Sequence, residues 1–215
     1  MYFSHDVSAL NTLYPSEQKF QKAKPKDWVS LKQISKYGIW AIVLSEDWGF
    51  YQHEGIDLNQ VKAALEEMVD GNRFRGASTI TQQMVKNVFL SEERTLWRKL
   101  HEAILTYKVE TVIEKNRILE IYLNVIEFGP GVTGIRDASY HYFKKHPSAL
   151  NPREAAFLAM LLPSPKRYYV SFQKKKLTDF ASERVDAILV KMRMGKIISP
   201  AEYQMWRTKK FTWEK

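Results

Sequence analysis

Two adjacent carboxylates, Glu46 and Asp47, stand where a strongly apolar stretch ends. They open the segment Glu46-Asp47-Trp48-Gly49-Phe50-Tyr51-Gln52-His53-Glu54-Gly55. Apolar surroundings disfavour the charged form of a carboxyl group, which suits general-base work near neutral pH. Taken alone, charge on a solvated helix end is the commoner explanation. The helix dipole disfavours an acid at a C-terminus, however, and that local conflict hints at function.

A second segment reads Arg75-Gly76-Ala77-Ser78-Thr79-Ile80-Thr81-Gln82-Gln83, followed by Met84-Val85-Lys86-Asn87. A helix start preceded by glycine offers N–H groups to an anion. Gln82 and Lys86 share a face at i and i+4, with Gln83 and Asn87 beside them. The plain alternative is a capped surface helix. In a third segment, Arg94, Arg98 and Glu102 recur every four residues, with Lys99 adjacent. Such a group is ordinarily a surface ion-pair ladder. Its functional reading is a phosphate clamp organised around an acid. The five histidines show no metal-ligand spacing, there is no cysteine, and neither GxSxG nor a Walker-type loop occurs.

Helical segments must position these groups. A stripe of Ile34, Ile39, Ile42 and Val43 leads from Leu31 to Glu46, and Leu58 to Met68 makes a second. Thr79 with Gln82 three residues on predicts a capping box and a helix to about Phe89. Leu96 to Glu114 reads as a long amphipathic helix with Leu100, Ala103, Ile104 and Tyr107 on one face. Asn116 is placed to cap a helix through Asn124. A loop marked by Gly129, Pro130, Gly131 and Gly134 precedes a helix over Ile135 to Phe143. Asn151-Pro152-Arg153-Glu154 starts another, apolar all round to Leu162 and stopped by Pro163 and Pro165. Residues 178–194 and 200–207 close the chain as helices. Strand signals are few and short, so the class is mainly α. Residues 1–27 read as an N-terminal arm on a domain covering 28–215.

The chain has 215 residues, 45% of them hydrophobic, which sustains a core and excludes wholesale disorder. A net charge of +9 attracts nucleic acid, anionic lipid or phosphorylated substrates. The apolar run Ile39 to Leu44 is far short of the roughly 20 residues of a membrane span. Met1 to Asp6 is no signal peptide. The expectation is a soluble protein, or a sequence that begins after an anchor.

Together the three segments resemble the family 51 glycosyltransferases, the peptidoglycan polymerases. Residues 46–55 fit EDxxFxxHxG, and 76–83 fit GxSTITQQ, with Lys86-Asn87 following. Arg98, Lys99 and Glu102 fit RKxxE. Lys115, Ile118, Leu119, Glu120, Tyr122, Leu123 and Asn124 fit KxxILExYLN. A looser fifth match runs from Gly129 to Lys144, where Arg136-Asp137 replaces small residues, and Glu154-Ala155-Ala156 continues it. The likeness covers about residues 28–170. It departs from the family in having no N-terminal transmembrane helix.

The resemblance implies a lysozyme-like bilobal helical fold, with a head and a smaller jaw lobe. It implies lipid II and a growing lipid-linked glycan as substrates, β-1,4 bond formation with inversion, and release of undecaprenyl pyrophosphate. A sugar hydroxyl needs a general base, which Glu46 would be. A pyrophosphate leaving group needs cations and N–H donors rather than a general acid. Lys86, Arg94, Arg98 and Lys99, with Ser78, Thr79, Gln82, Gln83 and Asn87, would supply that side. Glu102 would organise those cations or take part in donor binding. Asp47 would support Glu46, while Phe50 and His53 shape the acceptor side. No cofactor is required, although Mg2+ or Mn2+ near Glu102 would stimulate the reaction. The partners expected are the bacterial cytoplasmic membrane, at its outer, periplasmic face, and other cell-wall synthesis or division proteins, but not nucleic acid. An apolar entry for the lipid is expected near Trp28 and Trp40 or between Gly55 and Arg75. Two other readings remain. A lysozyme-like hydrolase or lyase would need a protonated Glu and no cation cluster. A non-catalytic membrane-surface scaffold would need only basic and apolar surface.

Overall fold

The computed structural model describes residues 28–57, 62, 78–90 and 95–215. The expected arm over residues 1–27, the second stripe at 58–68, Arg75-Gly76-Ala77 and Arg94 lie outside the described residues. The class is mainly α, as the resemblance implies, and the sole sheet among the described residues is a two-stranded hairpin. The chain divides into two compact units. One contains residues 49–122, and the other contains 25–48 with 123–215.

In the second unit, a 3-10 turn at Leu31–Gln33 precedes helix α1, Lys36–Glu46. Ser35 starts α1 by accepting a hydrogen bond from the Gly38 N–H. Ala41, Ile42, Val43 and Leu44 are all buried in succession, so α1 is buried on every side near its end. Its last residue is Glu46, where the apolar stripe predicts the end.

In the first unit, α2 (Ile80–Phe89) packs on α3 (Leu96–Val112), and α4 (Lys115–Val125) follows across the unit boundary. Thr79 and Gln82 form the expected capping box. α4 begins at Lys115, so Asn116 lies inside it rather than capping it. The face of α3 expected to be its core side is its outer one. Leu100 and Tyr107 are exposed, whereas Glu102, Leu105, Thr106 and Val109 are buried. Glu102 on that inward face is satisfied by Arg98 and Lys99 of the same helix, and the buried Thr106 hydroxyl has no hydrogen-bond partner among the described residues; a pattern of apolar residues registers neither.

The glycine-marked loop is a hairpin of β1 (Glu127–Gly129) and β2 (Val132–Thr133). Gly134 then caps α5 (Ile135–Phe143) with φ +83, and a Cβ there would stand 2.7 Å from the Asn124 carbonyl oxygen. Asn151, Pro152 and Glu154 start α6 (Pro152–Leu161) through a second capping box, and every residue of α6 is buried. Two short helices, α7 (Pro165–Tyr168) and α8 (Val170–Gln173), were not anticipated. α9 (Asp179–Met194) and α10 (Pro200–Thr208) were. α1 packs against α6 and α9, which form the core of this unit.

Candidate active site

The second unit presents Glu46 at the end of α1, half-buried, with Asp47 fully buried behind it in the chain. Asn124 fixes the approach to α1. Its amide accepts from the Val29 N–H at 2.9 Å and donates to the Val29 carbonyl at 2.9 Å. The asparagine of the YLN triplet is thus a clamp on the segment that leads to the carboxylate.

The other end of the helix is closed from α9. The Lys191 ammonium donates to the carbonyls of Leu44 at 3.0 Å and Ser45 at 3.5 Å. A helix leaves its last carbonyls unsatisfied, and a cation there offsets the negative end of the dipole. The conflict noted for an acid at this position is therefore met from outside the helix.

The first unit gathers three of the motifs. Arg98 and Lys99 both pair with Glu102, whose side chain is 3% exposed, Arg98 at 2.7 Å. Lys99 remains 48% exposed and reaches the Ser78 hydroxyl at 3.5 Å. Lys99 and Ser78 therefore stand together with a cationic, partly open face. Lys86 is exposed at the last turn of α2. Arg98 and Lys99 each bond one carboxylate oxygen of Glu102.

Several residues expected to touch substrate also hold their neighbours in place. Phe50 is fully buried and lies under the Lys115 ammonium, 4.6 Å from its ring centroid. The Thr79 hydroxyl is buried and donates to the Gly55 carbonyl at 2.6 Å. Gln82 is buried and its amide oxygen accepts from the Thr79 N–H. The capping box uses N–H groups at this helix start, which leaves fewer for an anion than expected. Asn87 is buried, and its amide donates to the Gln83 carbonyl. Gln83 in turn donates to the Ser78 carbonyl at 3.3 Å and accepts from the Tyr122 hydroxyl at 3.0 Å. His53 is half-buried and accepts, through Nδ1, from the Gly55 N–H.

Glu110 belongs to none of the motifs, yet it joins them. Its side chain is nearly buried; it accepts from the Thr81 hydroxyl and pairs with Lys115 at 2.8 Å. Gly55 presses on it. With φ +89, a Cβ at that position would meet Thr106 at 2.8 Å and Glu110 at 2.9 Å. This explains the glycine that ends the first motif. The sequence gives no sign of Glu110, because Thr81 and Gly55 are far from it along the chain and Lys115, five residues on, lies outside the i+3 and i+4 spacings of a helix pair.

One unit thus offers a half-buried carboxylate at the end of a buried helix, and the other a buried acid carrying two cations. The sequence matches the transglycosylase family over residues 15–193. It is 45% identical over 159 residues to the biosynthetic peptidoglycan transglycosylase of Marinomonas sp. (strain MWYL1), covering 74% of this chain and 69% of that protein. It is 39% identical over 202 residues to the protein of the same name from Nitrosospira multiformis, covering 91% and 85%. With that of Bdellovibrio bacteriovorus it shares 44% over 145 residues, 67% of this chain and 58% of that protein. The chain belongs to the transglycosylase family.

Proposed function

We infer that this chain, a peptidoglycan glycosyltransferase by family, polymerises lipid II into β-1,4-linked glycan with inversion and release of undecaprenyl pyrophosphate. Glu46 takes the proton of the acceptor 4-hydroxyl as its oxygen attacks the anomeric carbon of the growing glycan. The bond from that carbon to the pyrophosphate oxygen breaks on the opposite face. The leaving group departs as an anion and requires no proton. Arg98 and Lys99, organised by Glu102, bind it together with Ser78 and Lys86. Asp47, buried beside Glu46 in the chain, supports the base, and His53 lines the acceptor side.

The single observation that carries this reading is the seating of Arg98 and Lys99 on buried Glu102. A hydrolase must protonate a sugar oxygen and has no use for such a pair. The membrane is the proposed location, at its extracytoplasmic face. Among the described residues no helix is long and apolar enough to cross it. Leu96, 91% exposed, and Trp97, 65% exposed, stand with Leu100 at the start of α3, the helix that bears Lys99. They support an apolar contact with lipid there. Trp28 and Trp40, expected in that role, are only half-exposed. Other cell-wall synthesis proteins are proposed partners on the resemblance alone.

Polymerisation of labelled lipid II by wild type and Glu46→Gln tests the assignment. The variant is expected to lose nearly all glycan product while keeping its fold. Normal product from the variant would remove Glu46 as the base. Shortening of finished glycan by the wild type, with none made, would establish hydrolysis instead.

A further inference from the structure

We propose that Lys191 is a positioning residue for Glu46, closing the end of α1 with its ammonium and setting both the placement and the charge environment of the base. The inference rests on Glu46 being that base. Three observations carry it. The ammonium bonds the carbonyls of Leu44 and Ser45, the two residues that precede Glu46. α1 packs along α9, so the lysine comes from an element that is itself fixed in the core. Glycine at 195 lets this end of α9 approach, because a Cβ there would stand 3.1 Å from Leu44.

Charged groups on the elements packed against α1 are largely engaged elsewhere. Asp47 follows Glu46 in the chain. On α6, Arg153 and Glu154 lie in the first turn; Arg153 donates to the carbonyls of Trp206 and Arg207, and Glu154 pairs with Lys145. The rest of α6, Ala155 to Leu161, carries no charge. The 3-10 turn at Pro147–Ala149 meets the opposite end of α1, where Ser35 donates to the Pro147 carbonyl. On α9, Asp186 accepts from Tyr203 and Arg193 lies over the Tyr203 ring. Whereas Glu202 of α10 accepts from Tyr37 at the opposite end, Lys191 of α9 is bonded to α1 at the end that bears Glu46. It offsets the negative helix end, which otherwise repels an ionised Glu46.

The test is lipid II polymerisation by the full chain as a function of pH, for wild type, Glu46→Gln, Lys191→Met and Lys191→Arg. Circular dichroism and thermal unfolding are recorded alongside. Lys191→Met is expected to lower kcat about tenfold with KM within about twofold. Its acid limb should move up by about half to one pH unit, because the base is protonated more readily without the cation. Lys191→Arg should keep both the rate and the limb near wild type. A folded Lys191→Met with wild-type kcat and an unmoved limb overturns the proposal. If Lys191→Met does not fold, Lys191→Arg decides. A wild-type rate and limb support the proposal, and a folded arginine variant with a low rate and an unmoved limb overturns it. Absence of product from wild type, or normal product from Glu46→Gln, would instead remove the proposed function or the base, and this proposal with it.

Discussion

Glu110 shows how a single side chain connects distant parts of the first unit. Its carboxylate accepts from Thr81 at the start of α2 and pairs with Lys115, which in turn covers Phe50. Phe50, Thr79 and Gln82 are buried and likewise support their neighbours. Glu110→Gln keeps the shape and removes the charge, leaving Lys115 without its carboxylate. A loss of about 1–3 kcal/mol in unfolding free energy is expected, toward the low end because Lys115 is partly exposed. Urea unfolding measures it, and a midpoint equal to wild type would mean that the network adds nothing. Neither Glu110 nor Lys191 is legible in the sequence. Their bonds span 29 and 147 residues, and nothing in the local pattern marks them.

Among the helices, legibility follows how local the cause is. The helix starts at Thr79 and Asn151 are set within four residues, and the structure has a capping box at each, as it does at Ser30 and Ser199. The end of α1 at Glu46 is likewise local, since an apolar run meets charge there. α3 differs because its inward face includes polar residues, which an apolar pattern does not mark. Glu102 and Thr106 face in, while Leu96, Trp97, Leu100 and Tyr107 face out. An outward apolar face on a helix carrying Lys99 suits the headgroup boundary of a membrane. Trp97→Glu is expected to weaken binding to liposomes several-fold without changing the melting temperature. Partitioning equal to wild type would show that this face does not meet lipid.

At the scale of the whole chain, charge is unevenly spread. Thirteen of the 33 basic residues but only five of the 24 acidic ones lie beyond Pro163. The excess of +9 is thus concentrated toward the C-terminus rather than in the motifs. Binding to vesicles rich in anionic lipid should fall several-fold as salt rises from about 0.05 to about 0.5 M, since screening shortens the reach of surface charge. Co-sedimentation reads this directly. Binding indifferent to salt would leave the apolar face of α3 as the whole of the attraction. The mainly α class was legible because helical periodicity runs through most of the chain. A two-lobed division was implied by the resemblance alone; local patterns do not mark it, because it depends on contacts between residues 25–48 and those beyond 122.

That discontinuity has a consequence in time. A chain leaves the ribosome from its N-terminus, and α1 emerges early. Its partners, Asn124, α6 and finally Lys191, emerge only afterwards. A chain cut short before α9 would carry every recognisable motif and still lack the contact that ends the helix of Glu46. Synthesis of α9 is in this sense the step that completes the seat of Glu46.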